Sequence, residues 1–261
     1  MALTKEYLEY KIFKEIADYM EFYDFLSFSV SSFVTGGTTA IANLDSHIFS
    51  SMQGTLSSIN LILKDGRIND CYALLRKYHD SSIISAYESL YLEENFGIDN
   101  IIVEKINNWL HGKEKLPMFK TMISYLQGSP KLSHINALLN SDDRYLRIRD
   151  RCNNHMHYNF FYYMMINDKE LHDNNRIKFL NQLSLDLKDI FIQNFVFIFS
   201  IREYYMSSSD YTDYLDAGLK PVEGSQYYVA PIVQKMFDLY IKSSRTDLAT
   251  TIKNKTCMQL E

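Results

Sequence analysis

Hydrophobic side chains recur three and four positions apart along most of this 261-residue chain, a spacing that places them on one face of an α-helix. The breaks in this pattern coincide with glycine, proline, or clusters of Ser, Asp and Asn, which end helices or begin new ones. No stretch of useful length alternates apolar and polar residues, as a half-buried strand would. The pattern therefore predicts helices over residues 4–34, 46–64, 69–94, 99–111, 117–127, 141–165, 174–206 and 231–243.

These helices are expected to form one all-α helical bundle. Glycine (9) and proline (4) are scarce, which argues against a barrel, a sandwich or a disordered chain. The sequence has no internal repeat, and no linker divides it into independent halves. The sequence predicts an N-terminal helical extension over 1–45 and a central bundle over 46–206. A loop, a final helix and a tail over 207–261 are expected to pack on the same domain.

Composition narrows the functional classes. Hydrophobic residues make up 46% and charged residues 23%, as in ordinary globular proteins. The net charge of −5 leaves no general basic surface for nucleic acid, so any such contact must come from a local patch. The longest apolar run, 190–201, is too short to span a membrane.

Cysteine usage predicts a reducing compartment. Cys71, Cys152 and Cys257 are odd in number, widely spaced and without a CxxC pair. The first helical segment mixes charged and aromatic residues, unlike a basic and then apolar leader. We therefore expect a cytoplasmic protein with free, mostly buried thiols.

The most informative segment is 149–159, with two arginines, two histidines and three asparagines inside a segment otherwise typical of a buried helix. Polar groups that lose water must be paired, so such a concentration needs a reason. Arginine offers a fixed positive fork for phosphate, and histidine exchanges a proton near neutral pH. Together, arginine and histidine are the side-chain types needed to cut a phosphodiester without a metal or a cofactor.

Helical projection sorts the candidate residues onto two faces. Arg149, Asn153 and His157 are four positions apart and fall within or beside the apolar stripe. Arg151 and His155 fall on the opposite face, which is expected to be a basic, aromatic-studded surface. The first three should therefore line a cleft or a helix–helix interface, with Arg149 partly buried and Arg151 at the surface.

An arginine followed four to six residues later by a histidine on a long helix of an all-α protein resembles the HEPN superfamily. Arg151 and His157 have five residues between them, and so do Arg149 and His155. Arg149 and His157 share a face but have seven intervening residues, outside the family spacing. Spacing thus favours Arg151 and projection favours Arg149, and the choice stays open.

Residues 64–76 also look like the helical hairpin that precedes the motif helix in some bacterial HEPN-like proteins, so the resemblance covers roughly 46–205.

The resemblance implies a function. Active members are metal-independent endoribonucleases of toxin–antitoxin, abortive-infection and CRISPR-associated systems, and they often dimerise with two motifs facing each other. It implies an RNA substrate, a homodimer, an antitoxin or defence-system partner, and catalysis by His157 with Arg151 or Arg149 on the phosphate. Asn153 would orient the imidazole or the phosphate, and His155 is the histidine of the alternative pair. The competing interpretation is a non-catalytic helical adaptor that uses these residues for interhelical contacts.

Other candidate sites are weaker. His155 and His157 point about 200° apart on a helix, so they cannot chelate one metal ion together. Arg76, His79 and Asp80 can either support a substrate phosphate or form ordinary surface and interhelix pairs. The aromatic cluster in 158–163 can stack on bases or pack in a core and dimer interface.

Overall fold

The computed structural model describes residues 3–33, 44–168 and 173–261, apart from the side chains of 30–33, 173 and 174. Within that part of the chain, β pairing is limited to two isolated bridges, so the all-α helical bundle is confirmed. The α-helices are α1 (Lys5–Leu8), α2 (Ile12–Phe33), α3 (Leu44–Lys64), α4 (Ile68–Asn95), α5 (Glu104–Leu110), α6 (Phe119–Gly128), α7 (Ser133–Leu139), α8 (Arg144–Met156), α9 (Tyr162–Met165), α10 (Asp173–Ile201), α11 (Asp210–Asp216), α12 (Pro231–Met236) and α13 (Thr246–Lys255).

Two long helices, α4 and α10, form the centre of the bundle. α4 packs against α3, α6, α8 and α10, and α10 also contacts α2, α7, α8 and α13. Every residue of α10 from 190 to 199 is buried, which explains the long apolar run in the sequence. A helix that is apolar all round is one enclosed by others, so the pattern here reflects a core helix.

Aromatic side chains join α2 to this centre. Tyr19 stacks on Phe191 with ring centroids 4.4 Å apart, and Phe22 stacks on Phe195 at 5.7 Å. Aromatic pairs of this kind contribute about 0.5–1.5 kcal/mol beyond their burial. α2 therefore contributes to the same hydrophobic core as α4 and α10.

A buried arginine fixes the turn between α3 and α4. Gly66 has φ +79°, and its carbonyl accepts a hydrogen bond of 2.8 Å from Nη1 of the fully buried Arg176. A Cβ at Gly66 would lie 2.7 Å from that same nitrogen. Both the backbone conformation and the close approach therefore require glycine at the point where α4 begins.

The helix that carries the 149–159 segment is shorter than the sequence predicts. α8 begins as expected after an acidic cap, with Asp142 Oδ1 accepting from the Arg144 amide at 2.9 Å. It ends at Met156 instead of continuing to Met165, because Tyr158 adopts the left-handed conformation with φ +48°. The remainder of the predicted helix is a turn followed by the short α9.

Smaller differences concern other helix ends. α10 ends at Ile201 and is followed by a 3₁₀ turn, whereas the sequence predicts one helix to residue 206. The predicted loop 207–225 contains the short α11. Gly36 and Gly37, where the first long helix is predicted to end, lie outside the described residues. Among the described residues, no helix combines the length and the hydropathy needed to cross a bilayer.

Candidate functional site

The buried face of α8 differs from the one projected from sequence. Ile148, Cys152 and His155 are buried, four and three positions apart, and His157 is exposed. The sequence projection placed His157 on the packed side and His155 opposite, and both assignments are wrong. The projection from sequence does not include Ile148 in the buried face. When Ile148 is included, the buried face runs through Cys152 to His155, and His157 lies beyond the end of the helix.

His155 is an interhelical contact. Its ring is 2% exposed and stacks on Tyr72 of α4, with centroids 3.7 Å and planes 9° apart. Its Nδ1 lies 2.7 Å from Oδ1 of Asn69, and since Oδ1 only accepts, Nδ1 carries the hydrogen. Burial, and then the positive charge of Arg151, lower the pKa of His155 to about 3. A neutral, enclosed imidazole holds α8 against α4 and has no solvent-facing proton to exchange.

Asn69 lies in the first turn of α4, which begins at Ile68, one residue before the start that the sequence predicts. Its backbone N–H donates to Oδ1 of Asn167 at 2.9 Å while its side chain binds His155. Asn69 thereby connects the start of α4 to the last turn of α8 and to the turn that follows α9.

His157 is the C-cap residue of α8. Its backbone N–H donates to the Asn153 carbonyl at 3.0 Å, and its ring has no hydrogen bond or ion pair to any described residue. The residues next to it in the sequence include a group that we call the aromatic patch. The patch consists of large apolar side chains that are 40–72% exposed: Met156, Tyr158, Phe160, Phe161, Tyr162 and Met164.

Arg151 is held by a buried carboxylate. Its Nε donates to Oδ2 of Asp186 at 2.8 Å, and its Nη2 donates to Oδ1 of the same residue. The Asp186 side chain is 1% exposed, whereas that of Arg151 is 27% exposed. The expectation of a surface Arg151 is therefore wrong: its guanidinium is the charge partner of an aspartate inside α10.

Arg149 and Asn153 join α8 to the middle of α4. The Arg149 guanidinium carbon lies 3.3 Å from the centre of the Phe119 ring, and Nη1 donates to Oδ1 of Asp80 at 2.5 Å. Arg76, one turn before Asp80 on α4, donates to Oδ1 of Asn153 at 2.5 Å. The Arg149 side chain is only 15% exposed. These residues thus form interhelix pairs, one of the two interpretations open for Arg76 and Asp80.

The structure brings four of the five candidates into interhelical contacts and leaves His157 at the surface. Sequence reasoning missed Tyr72 and Asp186 as partners of α8. A signal for Asp186 exists in the sequence, because a carboxylate placed between two leucines is expected to be buried and then needs a cation as partner. The sequence near Asp186 does not show which cation is its partner, because Arg151 is 35 positions away.

Cysteines and metal-binding groups add no further site. Cys71 and Cys152 are buried, and burial raises the pKa of the Cys152 thiol to about 12. Cys257 is exposed. In residues 3–33, 44–168 and 173–261, no three His, Cys, Asp or Glu side chains are close enough to hold a metal ion.

Comparison with known proteins gives no relative. No protein-family model matches this chain, and no curated protein or solved structure is significantly similar to it. The likeness to the HEPN superfamily accordingly rests on the arginine–histidine spacing and on the all-α bundle that carries it.

Proposed function

We propose that this protein is a metal-independent endoribonuclease that acts as a homodimer, with His157 as the general acid–base. The observation that carries the proposal is the position of His157: an exposed imidazole just past the end of α8, followed in the sequence by several exposed aromatic side chains. Bases of single-stranded RNA stack on such side chains, which would present the phosphate between them to a neighbouring group.

The reaction needs an imidazole to transfer a proton at two points: from the attacking 2′-hydroxyl and to the departing 5′-oxygen. The 2′-oxygen attacks phosphorus while its proton passes to an imidazole, and the bond from phosphorus to the 5′-oxygen breaks as that oxygen gains a proton. The products are a 2′,3′-cyclic phosphate and a 5′-hydroxyl. No metal takes part, so the reaction needs a protein cation to stabilise the charge that develops on the phosphate.

Arg151 suits that role better than Arg149. Asp186 accepts from Nε and from one hydrogen of Nη2, which leaves three hydrogens, two on Nη1 and one on Nη2, for other acceptors. The buried carboxylate thus holds the guanidinium in place without using up its donors. Arg149, stacked on Phe119 and bonded to Asp80, is less exposed.

A single copy does not bring the two groups to one phosphate easily. Arg151 and His157 are six positions apart, which corresponds to about 9 Å along a helix axis and about 120° around it. We therefore infer that the complete site forms between two copies, with the arginine from one and the histidine from the other. The aromatic patch supports this arrangement, since a large exposed apolar area beside a polar site is typical of an interface.

The direct test is RNA cleavage by the purified protein in EDTA, comparing wild type with His157→Ala. We expect the wild type to leave 2′,3′-cyclic phosphate ends and the variant to be slower by about 10²–10⁴-fold. His111→Ala is the matched control, because His111 is also exposed and should be replaceable without effect. Cleavage by His157→Ala at the wild-type rate would exclude His157 as the acid–base.

A non-catalytic helical adaptor is the second candidate, and a specific observation favours it. Arg149, Asn153 and His155 all bind α4 or its neighbours, and Arg151 binds α10. Residues used in this way stabilise a helix–helix interface whether or not the protein is an enzyme. A wild-type dimer that cleaves none of a panel of single-stranded and hairpin RNAs would favour the adaptor.

A further inference from the structure

An open cleft of about 790 Å³ lies between α4, α6, α8 and α10. It is deep enough to reach His79 of α4 and Gln193 of α10, two side chains that are 1% and 4% exposed. Phe119 and Ile123 of α6 and Leu146 of α8 give it apolar walls. A cleft with apolar walls and a few buried polar groups at its floor has the make-up of a small-molecule site.

His79, which lines this cleft, has an unused acceptor. Its Nε2 lies 3.1 Å from Oε1 of Gln193, so Nε2 carries the hydrogen and Nδ1 keeps a free lone pair. Nδ1 is buried and has no hydrogen-bond partner among the described residues. Burial, and then the positive charge of Arg149, lower the pKa of His79 to about 3, so the ring stays a neutral acceptor at pH 7. A ligand that satisfies Nδ1 must bring an N–H or O–H group.

Tyr145 presents a second unused group. Its hydroxyl is buried and has no hydrogen-bond partner in the part of the chain that the structure describes, and its ring centroid lies 6.2 Å from that of His79. Burial raises the pKa of Tyr145, so the hydroxyl remains protonated and can donate. The lining of the cleft therefore includes an unused acceptor and an unused donor on two neighbouring rings, and a ligand that pairs with both carries a donor and an acceptor.

The edge of a nucleobase has this pattern, with an N–H next to a carbonyl oxygen or a ring nitrogen. Its flat, apolar faces suit a space walled by Phe119, Ile123 and Leu146. The exposed Lys120 and the guanidinium of Arg149 also line the cleft and supply positive charge for an attached phosphate. Asp142 and Asp143 at the same rim are already paired with Arg144 and Arg147.

We propose that this cleft binds a nucleobase, with its donor on His79 Nδ1 and its acceptor on Tyr145 Oη. The base belongs either to a free nucleotide or to an RNA strand, since both present the same edge. The proposal does not depend on cleavage by His157, and binding is measured without any turnover.

The test is titration of the full chain with AMP, GMP, CMP and UMP, followed by calorimetry or saturation-transfer NMR. We expect at least one to bind more tightly than about 1 mM, and its analogue methylated at the edge nitrogen to bind at least about tenfold more weakly. Failure of all four at millimolar concentration, or equal binding of the methylated analogue, would overturn the proposal.

A pair of variants places the ligand in the cleft. Leu146 at the cleft wall is 68% exposed and Leu61 on α3 is 71% exposed, so aspartate at either position should leave the fold intact. Leu146→Asp should weaken binding by about tenfold or more, through lost apolar contact and repulsion of phosphate, whereas Leu61→Asp should not. Equal affinities of the two variants would place the ligand elsewhere and refute the assignment.

Single-stranded hexanucleotides of the preferred base distinguish the two sources. An oligonucleotide that binds more than about tenfold tighter than the mononucleotide, and is displaced by it, indicates an RNA base. Equal affinity of the two indicates a free nucleotide. Both results support a nucleobase in the cleft. An oligonucleotide that binds without competition from a bound mononucleotide uses another surface, and the free nucleotide is then the occupant.

Discussion

At the scale of single residues, Arg151 and Arg147 on α8 provide a direct comparison. Each pairs with an aspartate, but Asp186 is 1% exposed whereas Arg147 and Asp143 are 55% and 59% exposed. Arg151→Ala leaves a buried carboxylate without its charge partner. Because Arg151 is itself partly solvated, we expect a loss of about 2–3 kcal/mol in the free energy of unfolding.

Arg147→Ala is the matched control and should change stability by less than about 0.5 kcal/mol. Urea denaturation at pH 7 measures both variants, and similar losses would contradict the distinction. The result also decides how a nuclease assay of Arg151→Ala is read, because lost activity then includes lost folding. Arg151→Lys, which keeps a charge near Asp186 but not the paired hydrogen bonds, separates the two effects.

His155 makes stability depend on pH. Its folded pKa of about 3 lies below the ordinary value of 6.5, so below pH 6.5 the unfolded chain binds a proton that the folded chain does not. The free energy of unfolding therefore falls as pH decreases from 6.5 toward 3, and is unaffected by this group above 6.5. Relative to His155→Gln, the wild type should lose about 2 kcal/mol between pH 7 and pH 5.

Paired denaturation curves at pH 5 and pH 7 check this expectation. His157→Gln serves as the control, because it replaces an exposed histidine near the end of the same helix. A wild-type profile parallel to that of His155→Gln would show that His155 titrates alike in the folded and unfolded chains.

At the scale of helices, a buried acid pair joins α3 to α4. Glu88 is fully buried and Asp45 is 8% exposed, and the Ser89 hydroxyl lies within hydrogen-bond distance of both carboxyl groups. Burial, and then the charge of Asp45, raise the pKa of Glu88 well above its ordinary value. The folded chain thus keeps a proton on Glu88 that the unfolded chain releases above about pH 4.3.

The sign here is opposite to that of His155. The stability that protonated Glu88 contributes is present at low pH and is lost as pH rises above its unfolded value. Glu88→Gln keeps a neutral side chain at every pH. Its free energy of unfolding should therefore rise relative to that of the wild type by up to about 1.4 kcal/mol per pH unit from about pH 4.5 upward. Melting curves at pH 4.5, 6 and 7.5 measure this, with the exposed Glu6→Gln as control. A constant difference between Glu88→Gln and the wild type would refute it.

Tyr158, two residues after the end of α8, has a strained backbone conformation. A non-glycine residue at φ +48° costs free energy that glycine avoids, and the Tyr158 ring is 40% exposed. Tyr158→Gly should therefore stabilise the protein by about 1 kcal/mol, whereas Tyr158→Ala, which retains the strain, should not. Thermal melting compares the two. Equal stability of both variants would show that the conformation carries no penalty.

The same helix shows what sequence can and cannot predict. The acidic start of α8 and its helical character follow from local patterns, and so do most other helices of the bundle. The end at Met156 carried no local signal, because no glycine or proline stands there and a tyrosine adopts the left-handed conformation. The partners Tyr72 and Asp186 lie on other helices, and a single sequence does not reveal contacts over such separations.

At the scale of the whole molecule, the aromatic patch predicts association. We expect light scattering at micromolar concentration to give twice the chain mass of 30.7 kDa. Phe161→Asp, at a side chain 72% exposed in the patch, should give a monomer, since a charge in an apolar interface has no partner there. Ile98→Asp is the control, because Ile98 is 94% exposed and lies outside the patch. A dimer that persists in Phe161→Asp would place the interface elsewhere.

Arg149 belongs to two places at once, the wall of the cleft and the contact of α8 with Asp80. The helix that holds this arginine ends at Met156, one residue before His157. If α8 moves as a rigid body, a ligand whose binding depends on the position of Arg149 shares a coupling free energy with whatever binds at the end of α8. Such coupling is reciprocal: if an occupant of the cleft strengthens binding at His157, then binding at His157 strengthens the hold on that occupant by the same factor.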